Sequence, residues 1–259
     1  MHPVSAIPLT QSCPGEFVTA GGEALPNILE LHGIERHFGG VRAVDGISFS
    51  VPRGTIVGLC GTNGSGKTTT FNCITGMDRP TRGQIVFDGR DITGMDPFRT
   101  FGLGIGRMFQ IVRIFPQMTV LENLVAVARN GSDEEILDAS LDVIQVVGLG
   151  HMVDELAATL SFGQKKLLEL ARVLLLDPTL LLMDEPAAGV NPVLLEKLLR
   201  IIGDYHARDR SILIVEHNMK VIGQLCDWVV VLDHGHIIAQ GPPEDVRKDS
   251  AVLQAYLGT

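Results

Sequence analysis

The sequence predicts an α/β fold: a core with a mainly parallel sheet, an antiparallel β subdomain and a helical insertion. Three observations predict it. The stretch Gly61-Thr62-Asn63-Gly64-Ser65-Gly66-Lys67-Thr68 fits G-x-x-x-x-G-K-[ST], with an apolar strand-like run before it and a helix-length stretch after it. Strand and helix signals alternate beyond residue 180, which means a parallel sheet. From about residue 96 to 163 the apolar residues fall at helical spacing, with little β signal.

Size and charge agree. At 259 residues with 45% apolar content the chain can bury one large core or two modest ones. A net charge of −9 argues against wide contact with nucleic acid, which calls for a basic face. The four cysteines, Cys13, Cys60, Cys73 and Cys226, lack metal spacing and read as reduced thiols of a cytoplasmic protein. No run reaches the 18 or more apolar residues of a membrane span, so a role at the membrane requires a partner. Residues 1–26 carry Pro3, Pro8, Pro14 and Pro26 among Gly, Ser and Thr and are expected to form a disordered tail rather than a signal peptide.

The elements follow in order. Ile28, Leu29, Leu31 and Ile34, then Val44, Ile47, Phe49 and Val51, predict short strands before the phosphate-loop strand Thr55 to Cys60. Thr68 to Thr75 is a helix stopped by Gly76. Gln84 to Phe87, the turn Asp88-Gly89 and Arg90 to Ile92 make a hairpin, so antiparallel strands flank the loop on both sides. Within 96–163, Thr119 to Ala128 reads as a helix, and Ser132 with Glu135 is a capping box for another. Then come the strand Leu180 to Met183, the helix Pro192 to Arg208, the strand Ser211 to Val215 and the helix Met219 to Cys226. A hairpin over Trp228 to Ala239 and two helices, from Pro243 and from Ala251, close the chain.

Chemistry gathers at the strand ends. Gly61, Gly64 and Gly66 let backbone N–H groups turn toward a triphosphate, with Thr62, Asn63, Ser65 and Thr69 in the same wrapping. Lys67 supplies a full positive charge, and Thr68 offers its hydroxyl to Mg²⁺ at a helix N-terminus. Asp184, ending a buried strand, is placed to hold Mg²⁺ beside Thr68, and Glu185 to polarise the attacking water. Ser161 with Gln164 spells a capping box, and with Gly163 beside it this helix start is a second anion site. One γ-phosphate does not need two helix starts from one subunit, which leaves the second available to another subunit.

At this point the sequence resembles the ATP-binding subunits of ABC transporters, over residues 27 to the C-terminus. Their LSGGQ signature stands here as Leu160-Ser161-Phe162-Gly163-Gln164, with Phe in the third place. The resemblance implies a P-loop NTPase core of the ABC ATPase fold, one domain over 27–259 in which 96–163 is a helical subdomain inserted in a RecA-like core. It makes Gln110 the glutamine that senses Mg²⁺ and the attacking water and relays to the membrane partner. It makes His217 the switch histidine at the γ-phosphate. Phe38 falls where the family places an aromatic against adenine; from the residues alone it is either that or a core aromatic. Asn191 stands where the superfamily commonly has Asp.

The phrases Gly106 to Gln110, Met118 to Asn123 and Ala255 to Gly258 are similar to the branched-chain amino acid importers, with urea-type and lipopolysaccharide-export ATPases as near relatives. The resemblance implies an ATPase with ATP and Mg²⁺, working head-to-tail with a second cassette, identical or homologous. Its partners are then integral membrane permease subunits and, indirectly, a substrate-binding protein, at the inner face of the membrane. Two rivals stay open. A soluble ABC ATPase acting on nucleic acid or ribosomes usually carries two cassettes or large insertions. A regulatory subunit that binds ATP without hydrolysis does not need Lys67, Gln110, Asp184, Glu185 and His217 together.

Overall fold

The computed structural model of the chain describes residues 9–13, 16–19 and 24–257. Three short strands, β1 (Leu9–Cys13), β2 (Glu16–Thr19) and β3 (Ala24–Leu25), form a small antiparallel sheet. This corrects the expectation of a disordered stretch over 1–26, of which 1–8, 14–15 and 20–23 lie outside the described residues. Composition, rich in Pro, Gly, Ser and Thr, carries no sign of the anchor that holds these strands. Phe17 is buried and meets the ring of Trp228 edge-on, with 5.1 Å between centroids. Such a pair contributes about 1 kcal/mol beyond the area it buries.

Next come two long antiparallel strands, β4 (Asn27–Phe38) and β5 (Val41–Pro52). The phosphate-loop strand β6 (Ile56–Gly61) leads into helix α1 (Lys67–Thr75), which Gly76 stops in the left-handed conformation at φ 77°. The hairpin of β7 (Arg82–Phe87) and β8 (Arg90–Asp91) turns at Asp88 and Gly89, both at positive φ, as a two-residue turn of this kind requires. These strands form the antiparallel sheet β5-β4-β7-β8. Helix α2 (Pro97–Gly102), strand β9 (Ile105–Met108), and helices α3 (Val120–Val125), α4 (Asp133–Val146) and α5 (Phe162–Leu175) follow.

The rest alternates: β10 (Leu180–Asp184), α6 (Pro192–His206), β11 (Ser211–Val215), α7 (Met219–Leu225), β12 (Trp228–Asp233) and β13 (His236–Gly241), closed by α8 (Pro243–Val246) and α9 (Ser250–Leu257). The core sheet runs β13-β12-β6-β11-β10-β9 and is parallel except for the β12–β13 pair. Every residue of β6, β10 and β11 is buried, as expected of strands covered on both faces. Alternate residues divide between two apolar clusters. Leu181 and Met183 face the helices with Leu170 and Leu198, while Leu180 and Leu182 pack on the side of Leu31, Phe49 and Phe71.

One element was not foreseen. Strand β9 lies inside the stretch expected to be helical and forms the edge of the core sheet, with Met108 opposite Met183. It has four residues and one glycine, too few for a period to emerge. Gly106 is required there, because a Cβ would collide with the side chains of Pro178 and Val173. The order of strands brings the carboxyl ends of β6, β9, β10 and β11 to one edge. In an open parallel sheet that is where ligands bind.

Candidate active site

The phosphate loop leaves β6 at Gly61, whose φ of 144° and close approach to Leu232 O leave no room for a Cβ. Gly66, at φ 106°, caps α1 with no side chain in the way. The Lys67 ammonium lies across the loop, donating to Gly61 O at 2.9 Å, Thr62 O at 2.7 Å and Ser65 Oγ at 3.3 Å. Burial lowers its pKa, and the negative charges of Glu185 and Asp184 oppose that fall. A cation so placed can follow charge onto a phosphate at the loop. Tyr256 of α9 accepts the Gly61 N–H at 3.0 Å, which ties the C-terminal helix to the loop.

Asp184 is 3% exposed. Arg107 donates to its Oδ2 at 3.1 Å, and the same guanidinium donates to Asn72 Oδ1 at 2.8 Å and lies 4.7 Å from the Phe109 ring centre. Burial raises the Asp184 pKa, with Arg107 pulling it back. Its other oxygen, Oδ1, is buried with no hydrogen-bond partner among the described residues. A buried acceptor without a donor is costly unless something else satisfies it. This oxygen, the hydroxyl of the exposed Thr68 at the start of α1 and the amide oxygen of Gln110 are all oxygen donors, the chemistry that suits a hard divalent cation such as Mg²⁺.

Three loops then converge. Glu185 follows β10 in the left-handed region at φ 49°, a conformation that costs a non-glycine residue on the order of 1 kcal/mol. It is fixed there by its N–H, which donates to Val215 O at 2.9 Å. The turn swings its side chain off the strand. Gln110 Nε2, beyond β9, donates to Glu185 Oε2 at 2.9 Å, and His217 Nδ1, beyond β11, lies 3.8 Å from Glu185 Oε1. Glu216 points inward and accepts the Ala187 N–H at 2.8 Å, which holds the segment after Glu185 against the end of β11. The arrangement can orient a water and take its proton.

Ser161 caps α5 by the expected reciprocal pair, its hydroxyl accepting from Gln164 N and Gln164 Oε1 accepting from Ser161 N. Ser161 and Phe162 are exposed on a cleft of about 720 Å³ shared with Gly163, Val190, Asn191 and Lys197. No residue of 61–68 lines that cleft. Asn191 caps α6 by accepting from Leu194 N at 2.9 Å. Phe38, at 46% exposure and with the Arg36 guanidinium 4.3 Å from its ring centre, is not a core aromatic.

Thus Gln110, Glu185 and His217 come together, while Ser161, Gly163 and Gln164 stand apart from the phosphate loop's own lining. Sequence reasoning missed Arg107, Lys166, Glu169 and Tyr256. Glu169 shows only as a single charged residue inside an apolar segment, and Arg107 and Tyr256 only as members of the phrases Gly106 to Gln110 and Ala255 to Gly258, with no sign there of the contacts they make. Cys60, Cys73 and Cys226 are buried free thiols, as expected.

A family model described as ABC transporter matches residues 44–188, and one described as branched-chain amino acid ATP-binding cassette transporter matches residues 236–259. The chain is 36% identical to the high-affinity branched-chain amino acid transport ATP-binding protein BraF of Pseudomonas aeruginosa, over 89% of this chain and 98% of that one. It is 37% identical to a probable branched-chain amino acid transport ATP-binding protein, LivG, of Archaeoglobus fulgidus, over 89% of this chain and 95% of that one. Among solved structures, the ADP conformation of an ATP-binding cassette of an ABC transporter superposes with a TM-score of 0.82 at 32% identity, covering 90% of this chain and all of that one. The chain belongs to the ATP-binding cassette family of ABC transporters.

Proposed function

We propose that this ATPase powers the passage of branched-chain amino acids through partner membrane subunits. The observation that carries the catalytic part is the convergence on Glu185, with Gln110 at 2.9 Å and His217 at 3.8 Å from its two oxygens. The cargo is supported by the relatives' names and by the family match over the C-terminal 24 residues, 236–259. Among the described residues no helix is long and apolar enough to cross a membrane. In this reading the chain acts on permease subunits from the cytoplasmic side.

In this reading the N–H groups of residues 61–69 wrap the phosphates and Phe38 stacks on adenine. Thr68, Asp184 and Gln110 would hold Mg²⁺, which when bound offsets charge on the β- and γ-phosphates. Glu185 takes a proton from the water that it and His217 orient, and Lys67 follows the charge that develops on the γ-phosphate. Gln110, just beyond β9, links this centre to the helices α3 and α4 that follow it, and so to the permease. Ser161, Gly163 and Gln164 of a second cassette, head-to-tail, complete the site over the γ-phosphate. The exposure of Ser161 on a separate cleft that Gly163 and Gln164 also line supports that placement.

The test is Glu185→Gln. The expected result is loss of phosphate release by at least about 100-fold with ATP binding retained and an ATP-dependent dimer trapped. Hydrolysis at the parental rate would remove Glu185 as the base.

A further inference from the structure

Helix α5, capped by Ser161, carries two charged residues on its buried side. Lys166 is 1% exposed and Glu169 is 3% exposed. The Lys166 ammonium donates to Glu185 O at 3.1 Å, Pro186 O at 3.1 Å and Ala188 O at 2.7 Å. Three donors meet three acceptors, so the buried charge is fully satisfied. Glu169, one turn on, accepts the N–H groups of Phe109 at 3.3 Å and Arg113 at 3.2 Å through one oxygen. Arg172, a further turn on, donates to Arg113 O. The two loops held in this way are the ones that carry Glu185 and Gln110, and those two side chains are bonded to each other at 2.9 Å.

Residues three apart on a helix share a face, so Lys166 and Glu169 act from one rigid body. Apolar side chains of similar size would fill the same space without the cost of burying charge, and a buried charge is weak evidence for stability. What the charges provide is direction. Each fixes a short irregular segment by its backbone, at both ends of the Gln110 turn and just after Glu185.

We propose that Lys166 and Glu169 are positioning residues of the ATPase, through which α5 holds the Gln110 and Glu185 loops in register with the helix start that presents Ser161 and Gly163. A shift of α5 when Ser161 meets the second cassette's nucleotide then moves both side chains together. The inference rests on the proposed roles of Gln110 and Glu185.

The test uses the full chain with Lys166→Met, Glu169→Leu, Glu169→Gln and the double variant Lys166→Met/Glu169→Leu. The expected result for each of the first two is a fall in kcat of about tenfold or more, with KM for ATP within about twofold and unchanged circular dichroism. Glu169→Gln keeps an acceptor oxygen and should stay within about threefold of the parental kcat. The double variant should fall no further than the worse single variant, because both anchors serve one arrangement. In the parental chain, which needs no substitution to fold, the Phe109 and Arg113 amides should exchange hydrogen at least about 100-fold more slowly than an open loop. Folded variants with parental kcat, additive losses, or unprotected amides at 109 and 113 would each overturn the inference. Glu185→Gln without activity beside Lys166→Met and Glu169→Leu at parental kcat would overturn this inference alone. Glu185→Gln at parental rate would overturn the reading beneath it.

Discussion

Gln110 Nε2 donates to Glu185 Oε2 across 2.9 Å, joining the loop that enters the helical region to the carboxylate at the end of β10. The bond sets the direction of Glu185 at a backbone position, φ 49°, that few residues adopt. Gln110→Ala should lower kcat by about 10- to 100-fold while ATP affinity changes little, because the phosphates are held by residues 61–69. Single-turnover phosphate release with separately measured nucleotide binding checks it.

Arg107 and Asp184 form a buried ion pair at 3.1 Å. Removing one partner leaves the other charge without compensation. Arg107→Met should therefore lower stability by about 3 kcal/mol at neutral pH, read from the midpoint and slope of urea unfolding.

Tyr256 reaches from α9 to the Gly61 N–H at the first residue of the phosphate loop. Tyr256→Phe keeps the ring and removes the acceptor. The expected outcome is a loss of about 1 kcal/mol in stability and a few-fold weaker ATP binding, measured by thermal unfolding and titration calorimetry.

Burial raises the Glu169 pKa from 4.5 to about 7, with the Phe109 and Arg113 N–H groups and the Arg172 and Lys166 charges opposing. Between those two values the folded chain keeps a proton that the unfolded chain has released. Stability contributed by this residue is therefore full below about pH 4.5, falls as pH rises to about 7, and is level above. Glu169→Gln carries no such proton. Against that variant the parent should lose roughly 3 kcal/mol of relative stability between pH 4 and pH 8, measured by urea unfolding at both.

Most of the fold was legible because its signals were local. Gly61 to Thr68 fixes a strand–turn–helix by itself, and Leu180 to Met183 is apolar because both faces of its sheet are covered. Strand β9 was not legible, since four residues carry no period and its place depends on pairing with β10. Strands β1 to β3 were hidden for a similar reason: Phe17 finds Trp228, more than two hundred positions away in the chain. Within the site, Lys67, Asp184 and Glu185 announce themselves by sequence context. Lys166 and Glu169 look like part of a solvated helix face until tertiary packing turns that face inward.

Rate per chain against protein concentration, measured for the parental chain and for Ser161→Arg, addresses most directly the proposal that each cleft needs two cassettes. The expected result is a parental rate per chain that rises with concentration, and a Ser161→Arg variant that binds ATP yet releases no phosphate at any concentration. A rate per chain independent of concentration, with Ser161→Arg as active as its parent, would contradict it.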